Sequence, residues 1–167
     1  MTVTVRAPRY ATNREIERIV REKEPWIRKQ LEKIAGQKEM ATEQQLEKLT
    51  EKDIRELADR ALVYIPERVK YFAPQVGVSY GRITIRNQKT RWGSCSGKGN
   101  LNFNCLLMLT PPEVIDYVVV HELCHRKEMN HSKAFWDQVE RILPDYKMSE
   151  AYLKKEGSHI MARAGYQ

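Results

Sequence analysis

The chain has 167 residues, 41% of them hydrophobic, with 29 basic against 22 acidic side chains and a formal net charge of +7. That is enough apolar content for one core, so a single domain over residues 1–167 is expected, mainly helical over 1–75 and carrying a sheet and a candidate site over 76–147. No run of about 18 apolar residues occurs, which excludes a membrane-spanning helix. The alternating start Met1–Arg6 does not read as a signal sequence, so the cytoplasm is the expected compartment.

Thr2 to Arg6 reads as a short strand closed by Pro8. Thr12 with Glu15 makes a capping-box pattern opening an amphipathic helix through Ile16, Ile19 and Val20. Pro25 is expected to restart it, Gly36 to end it, and Gln37–Leu49 to be a polar linker. Thr50 with Asp53 signals the next helix, where Ile54, Leu57, Ala58, Ala61, Leu62 and Ile65 keep helical spacing and Pro66 is expected to introduce a kink. From Val76 to Thr110 the period changes to two. Ile83 and Ile85 alternate with Arg82, Thr84 and Arg86, and Leu101 and Phe103 with Asn100, Asn102 and Asn104. With Gly97-Lys98-Gly99 as the turn, a small antiparallel sheet packed on helices is expected, an α+β fold. Thr110, Pro111, Pro112 and Glu113 supply an N-cap, first-turn prolines and a capping-box glutamate for a helix beginning near Pro111. Beyond Lys147, Ser149–Lys155 reads as a terminal helix stopping near Gly157, with His159 exposed or packed on that tail.

The helix that starts near Pro111 ends in His121-Glu122-Leu123-Cys124-His125. Two imidazoles four residues apart project from one helix face, within reach of a single ion. The glutamate between them lies about 100° round the helix, where it can face a metal-bound water instead of the metal. This is the His-Glu-x-x-His pattern of zinc hydrolases, and Zn²⁺ is the cofactor it calls for. A chance match is the alternative, but the apolar run Tyr117-Val118-Val119-Val120 would bury a His-Glu pair that needs a compensating partner. An open catalytic zinc site needs a third protein ligand. His131 leads, provided Asn130 adopts a left-handed conformation that turns the chain back; Glu128, Glu140 and His159 compete.

Cys95, Cys105 and Cys124 are odd in number and unpaired in spacing, which argues against a disulfide framework or a cysteine-type zinc site. Cys124 is expected to pack as a small apolar residue, and Cys95 either to pack or to approach the cleft.

The segments Thr90-Arg-Trp-Gly-Ser-Cys-Ser96, Asp116-Tyr-Val-Val-Val-His-Glu-Leu-Cys-His125 and Asn130-His-Ser-Lys-Ala-Phe-Trp136, with Pro144-Asp-Tyr-Lys147, resemble the YgjP-like metal-dependent hydrolases, distant relatives of SprT-type metalloproteases. The likeness runs from the Val3–Arg6 strand to Lys147 and implies a zincin-like fold. By it, His121, His125 and His131 would bind zinc and Glu122 would be the catalytic base. The family carries further β-structure before the segment matching Val5–Pro8, so a short or trimmed member is expected.

Residues 76–110 contain five basic and no acidic side chains: Arg82, Arg86, Lys89, Arg91 and Lys98. A solvated face is one explanation and anion binding the other, with Arg91 the best single candidate and Trp92 beside it as either core or stacking surface. Three functions fit. The first is a zinc-dependent peptidase in which Glu122 is general base to a zinc-activated water, acting on a peptide or protein. The second is a metal hydrolase of phosphate-bearing small molecules such as nucleoside triphosphates, and the third a nucleic-acid-associated module, whose binding would weaken steeply with salt. No membrane partner is expected.

Overall fold

The computed structural model describes residues 12–43 and 48–165, and the chain divides into two units, Met1–Leu46 and Glu47–Gln167. The expected strand Thr2–Arg6 lies outside the described residues. Among its described residues the first unit is one helix, α1 (Asn13–Glu43). Its capping box forms as expected: the Thr12 amide donates to Glu15 Oε2 at 2.9 Å, and the Glu15 amide to Thr12 Oγ1 at 3.4 Å. Neither Pro25 nor Gly36 interrupts it, so the restart and most of the linker expected over 37–49 are replaced by continuous helix.

The second unit begins with α2 (Glu51–Val76), whose Thr50–Asp53 capping box is complete and whose end is set by Gly77 in the left-handed conformation, φ 77°. The kink expected at Pro66 does not break it, and Pro74 is also accommodated. A proline removes the hydrogen bond to the carbonyl four residues back, here Leu62, which sits on the exposed side of the helix at 58% accessibility. The buried side carries Ile65, Val69 and Val76.

Three short strands follow, β1 (Ile83–Arg86), β2 (Gly93–Cys95) and β3 (Leu101–Asn104). Their order is β1-β3-β2; β3 pairs antiparallel with β2 but parallel with β1, Ile83 opposite Leu101. The all-antiparallel sheet expected from the sequence is therefore mixed. Gly97–Gly99 does make a turn, but between β2 and β3, and the three-residue β2 carried no alternation long enough to announce it. Asn104 is fully buried and ties the approach to β2: its Nδ2 donates to the carbonyls of Gln88 (2.8 Å) and Arg91 (2.9 Å).

A 3-10 turn (Cys105–Leu109) leads to α3 (Pro112–Cys124), then α4 (Lys133–Ile142) and α5 (Tyr146–Arg163). Thr110 does not cap α3. Its hydroxyl donates to the Leu107 carbonyl at 2.8 Å, closing the 3-10 turn, and Pro111 stands at the N-cap with no side-chain bond. α3 is buried nearly all round, through Val114, Ile115, Tyr117–Val120 and Glu122–Cys124, and packs against α2, α4, α5 and β2. Arg68 of α2 grips Asp116 of α3 with two bonds of 2.6 and 2.7 Å, fixing the register between them. Fully buried Phe103, Leu106, Val120, Leu123 and Phe135 fill the space between sheet and helices, each contributing about 1.5–3 kcal/mol of burial. α5 does not stop at Gly157. That glycine is buried in mid-helix, where a Cβ would stand 3.3 Å from the Trp92 indole. Among the described residues no helix is long and apolar enough to cross a membrane.

Candidate metal centre

α3 delivers His121 and Glu122 from its last turn, and His125, the C-cap, keeps right-handed helical angles (φ −62°, ψ −13°), so the four-residue spacing still places both imidazoles on one face. Beyond it the backbone tightens into turns in which the Arg126 and Lys127 amides donate to the Leu123 and Cys124 carbonyls. The Arg126 guanidinium reaches the carbonyls of Ser79 and Gly97, tying this corner to the sheet. The return does not use a left-handed Asn130; among the described residues only glycines have positive φ. Instead Asn130 Oδ1 accepts from the Ser132 amide at 3.3 Å, and Ser132 caps α4 by accepting from the Phe135 amide. His131 is held between these two bonds.

The structure brings His121, His125 and His131 together: one ligand atom from each lies within 4.8 Å of the others, and the Nε2 atoms of His121 and His131 are 3.0 Å apart. Tetrahedral ligation at 2.0–2.1 Å requires nitrogens ~3.3 Å apart, and the His121–His131 pair is close to that spacing. The Glu128 carbonyl can only accept, so His125 Nδ1 (3.0 Å away) must be the protonated nitrogen, leaving Nε2 a lone pair for a metal. Three neutral imidazoles suit a divalent ion. Among the described residues none of the other candidates joins this cluster: Glu128 meets His125 through its backbone carbonyl, Glu140 lies 3.9 Å from Lys147 and His159 3.7 Å from Glu156.

Two buried polar atoms here have no partner, His121 Nδ1 and Glu122 Oε2. Burial lowers the His121 pKa to about 3, with His125 and His131 adding to the effect, and burial also lowers that of His125. Burial raises the Glu122 carboxyl to about 8, against a smaller downward pull from Arg91. A buried acid without a partner beside two half-buried imidazoles and an exposed one fits a site completed by a cation from outside the chain.

Gly93 of β2 touches the acid: a Cβ there would lie 2.7 Å from Glu122 Oε1. Two cavities meet at Gly93, His121 and Glu122. One, about 230 Å³, includes all three histidines, Cys95 and Met129; the other, about 260 Å³, extends past Arg91, Trp92 and Tyr117. Cys95 thus borders the cleft, while Cys124 is buried in the core. Trp92 packs on the core and also walls the second cavity. Tyr117, read in the sequence only as part of a buried stretch, stands on that wall too, its ring 5.8 Å from that of His121. Its four-residue offset from His121 was the available signal.

A small sheet with an edge strand lies beside a His-Glu-x-x-His helix with a third histidine after it, a zincin-like arrangement. The chain belongs to the YgjP-like family: the model described as YgjP-like, metallopeptidase domain, matches residues 1–56 and 37–156. It is thus a metallopeptidase-class hydrolase, and the family implies a catalytic metal. Among solved structures it is similar to the metallopeptidase zymogen abylysin of Pyrococcus abyssi, 23% identical with a TM-score of 0.50 over 55% of this chain and 93% of that one. It is also similar to jannalysin of Methanocaldococcus jannaschii, a metallopeptidase zymogen, 20% identical with a TM-score of 0.49 over 55% and 95%. The first likeness supports the fold. No curated protein sequence matches the chain.

Proposed function

We propose that the protein is a zinc peptidase in which His121, His125 and His131 hold the metal, Glu122 is the general base, and Arg91 and Trp92 contact the substrate. The observation that carries this reading is the convergence of three histidine ligand atoms within 4.8 Å beside a buried, unpartnered carboxylate. Zinc bound there would supply Lewis acidity, lowering the pKa of water to about 7 and polarising a substrate carbonyl. Glu122 takes a proton from the attacking water and returns it to the leaving amine. Gly93, by leaving no side chain in the way, lets that carboxylate stand at the cleft floor.

The sheet edge supports an extended peptide as substrate. Trp92 O accepts from Asn104 N of β3 and Ser96 N donates to Asn100 O just before β3, so in the alternation of an antiparallel ladder the backbone groups of Gly93 and Cys95 face the free edge of β2. A peptide laid along that edge gains main-chain bonds next to Glu122. The three cysteines are free, which supports the cytoplasm as its compartment. The test is zinc-loaded protein offered casein, peptides and nucleoside triphosphates, with and without chelator. Chelator-sensitive release of peptides is expected; release of phosphate or pyrophosphate alone would replace this reading by the nucleotide one.

A further inference from the structure

The cavity walled by Arg91, Trp92 and Tyr117 opens directly off Glu122, on the opposite side of Gly93 from Cys95 and Met129. Whatever fills it lies one residue from the bond being cut, if the substrate follows the β2 edge. Its volume, about 260 Å³, suits a single side chain and not a small folded element. The walls are aromatic and aliphatic, completed by Val118 of α3 and Leu153 of α5. Among the residues lining the two cavities, Arg91 is the one Arg or Lys and Glu122 the one carboxyl group.

Arg91 has spare binding capacity. Its side chain is exposed, no carboxylate among the described residues forms an ion pair with it, and it acts on Glu122 only through space. Its backbone, in contrast, is fixed. Fully buried Asn104 donates to the Arg91 carbonyl at 2.9 Å, and the Asn104 amide donates to the Trp92 carbonyl at 2.8 Å. The Trp92 ring is seated on Gly157. A guanidinium on a rigid base over an apolar slot binds a carboxylate with little ordering cost. The other carboxylate felt at this wall, Glu150, which acts on Tyr117, is held by Lys154 at 2.7 Å. No acidic residue occurs anywhere in 76–110 to compete for Arg91 from the strands.

We infer that this cavity is a specificity subsite for an acidic side chain of the substrate peptide adjoining the scissile bond, with Arg91 binding the carboxylate and Trp92, Tyr117 and Leu153 packing its methylene stem. The assignment rests on the peptidase reading for its placement in the reaction but on Arg91 alone for its charge preference.

The test has two arms. In the first, zinc-loaded wild type, Arg91→Lys and Arg91→Glu digest a library of natural-sequence peptides, and cleavage sites are read by mass spectrometry. Wild type should enrich Glu or Asp at one fixed position beside the cut, Arg91→Lys should keep that preference weakened, and Arg91→Glu should exchange it for Lys or Arg. Between matched Glu and Gln peptides, kcat/KM should differ on the order of tenfold, the scale of a charge-assisted hydrogen bond. In the second arm, zinc-loaded Glu122→Gln protein, with and without Arg91→Glu, binds fluorescent peptides differing only in Glu, Gln or Lys. Selective, Arg91-dependent binding of the Glu peptide supports the subsite even if wild type cleaves no peptide, in which case the peptidase reading fails alone. Identical profiles for wild type and Arg91→Glu, or Arg91-dependent binding of a nucleoside triphosphate but not of the Glu peptide, would overturn it.

Discussion

Gly93 and Glu122 occupy each other's space: the position where any side chain would begin on Gly93 is 2.7 Å from the Glu122 carboxylate oxygen. A methyl group cannot be added without displacing the acid. Gly93→Ala should therefore keep its metal but lose turnover on the order of 10²-fold, the scale of a misplaced catalytic group. Metal analysis beside steady-state kinetics checks it, and an Ala variant of normal kcat would show that the acid is not confined by the strand.

Glu122→Gln keeps the shape and removes the proton acceptor. Metal content should be unchanged and kcat should fall about 10²–10⁴-fold. An active Gln variant with one bound zinc would refute the assigned base.

The metal-free protein should show the buried acid in its pH dependence. In the unfolded chain Glu122 ionises near its ordinary 4.5, whereas the folded chain keeps the proton until about 8. Its contribution is thus intact below 4.5 and lost as pH rises to about 8. The imidazoles act in the other direction: His121, lowered from 6.5 to about 3, contributes stability above 6.5 that is lost as pH falls. Thermal melts in chelator should show Glu122→Gln gaining on wild type steadily from pH 4.5 to 8. Parallel curves would contradict the raised pKa.

Arg68 and Asp116 bond α2 to the metal-bearing helix with their side chains only 28% and 18% exposed. Asp116→Ala leaves the guanidinium unpaired against the Tyr71 and Phe72 rings and should cost about 1–3 kcal/mol in denaturant melts. Replacing both partners, with Arg68→Met and Asp116→Leu, should recover most of that loss, because no charge is stranded. A double variant no better than Asp116→Ala would point to a role beyond pairing.

Local chemistry was legible in the sequence wherever one turn of chain decided it. The capping boxes at Thr12 and Thr50 formed because donor and acceptor are three residues apart and nothing else competes. Thr110 carried the same signal and failed, because the Leu107 carbonyl of a preceding 3-10 turn captured its hydroxyl. Alternation in Ile83–Arg86 and Leu101–Asn104 announced strands, but period two is the same for parallel and antiparallel partners, so the direction of β1 was not encoded there. Pro25, Pro66 and Pro74 are each a local helix-breaking signal, overruled in a longer helix. His121, Glu122 and His125 could be placed together from spacing alone. The meeting of His131 with them depended on the turn through Asn130 and Ser132, and Gly157 read as a helix stop until Trp92, 65 positions away, was seen to pack on it.

The convergence of three imidazoles on one ion is tested most directly by zinc K-edge X-ray absorption on protein loaded with one equivalent of metal. Three imidazole nitrogens at about 2.0–2.1 Å are expected, with no sulfur and one donor lost in His131→Ala. A sulfur shell near 2.3 Å, bringing Cys95 into the site, or a spectrum unchanged by His131→Ala, would contradict the assignment.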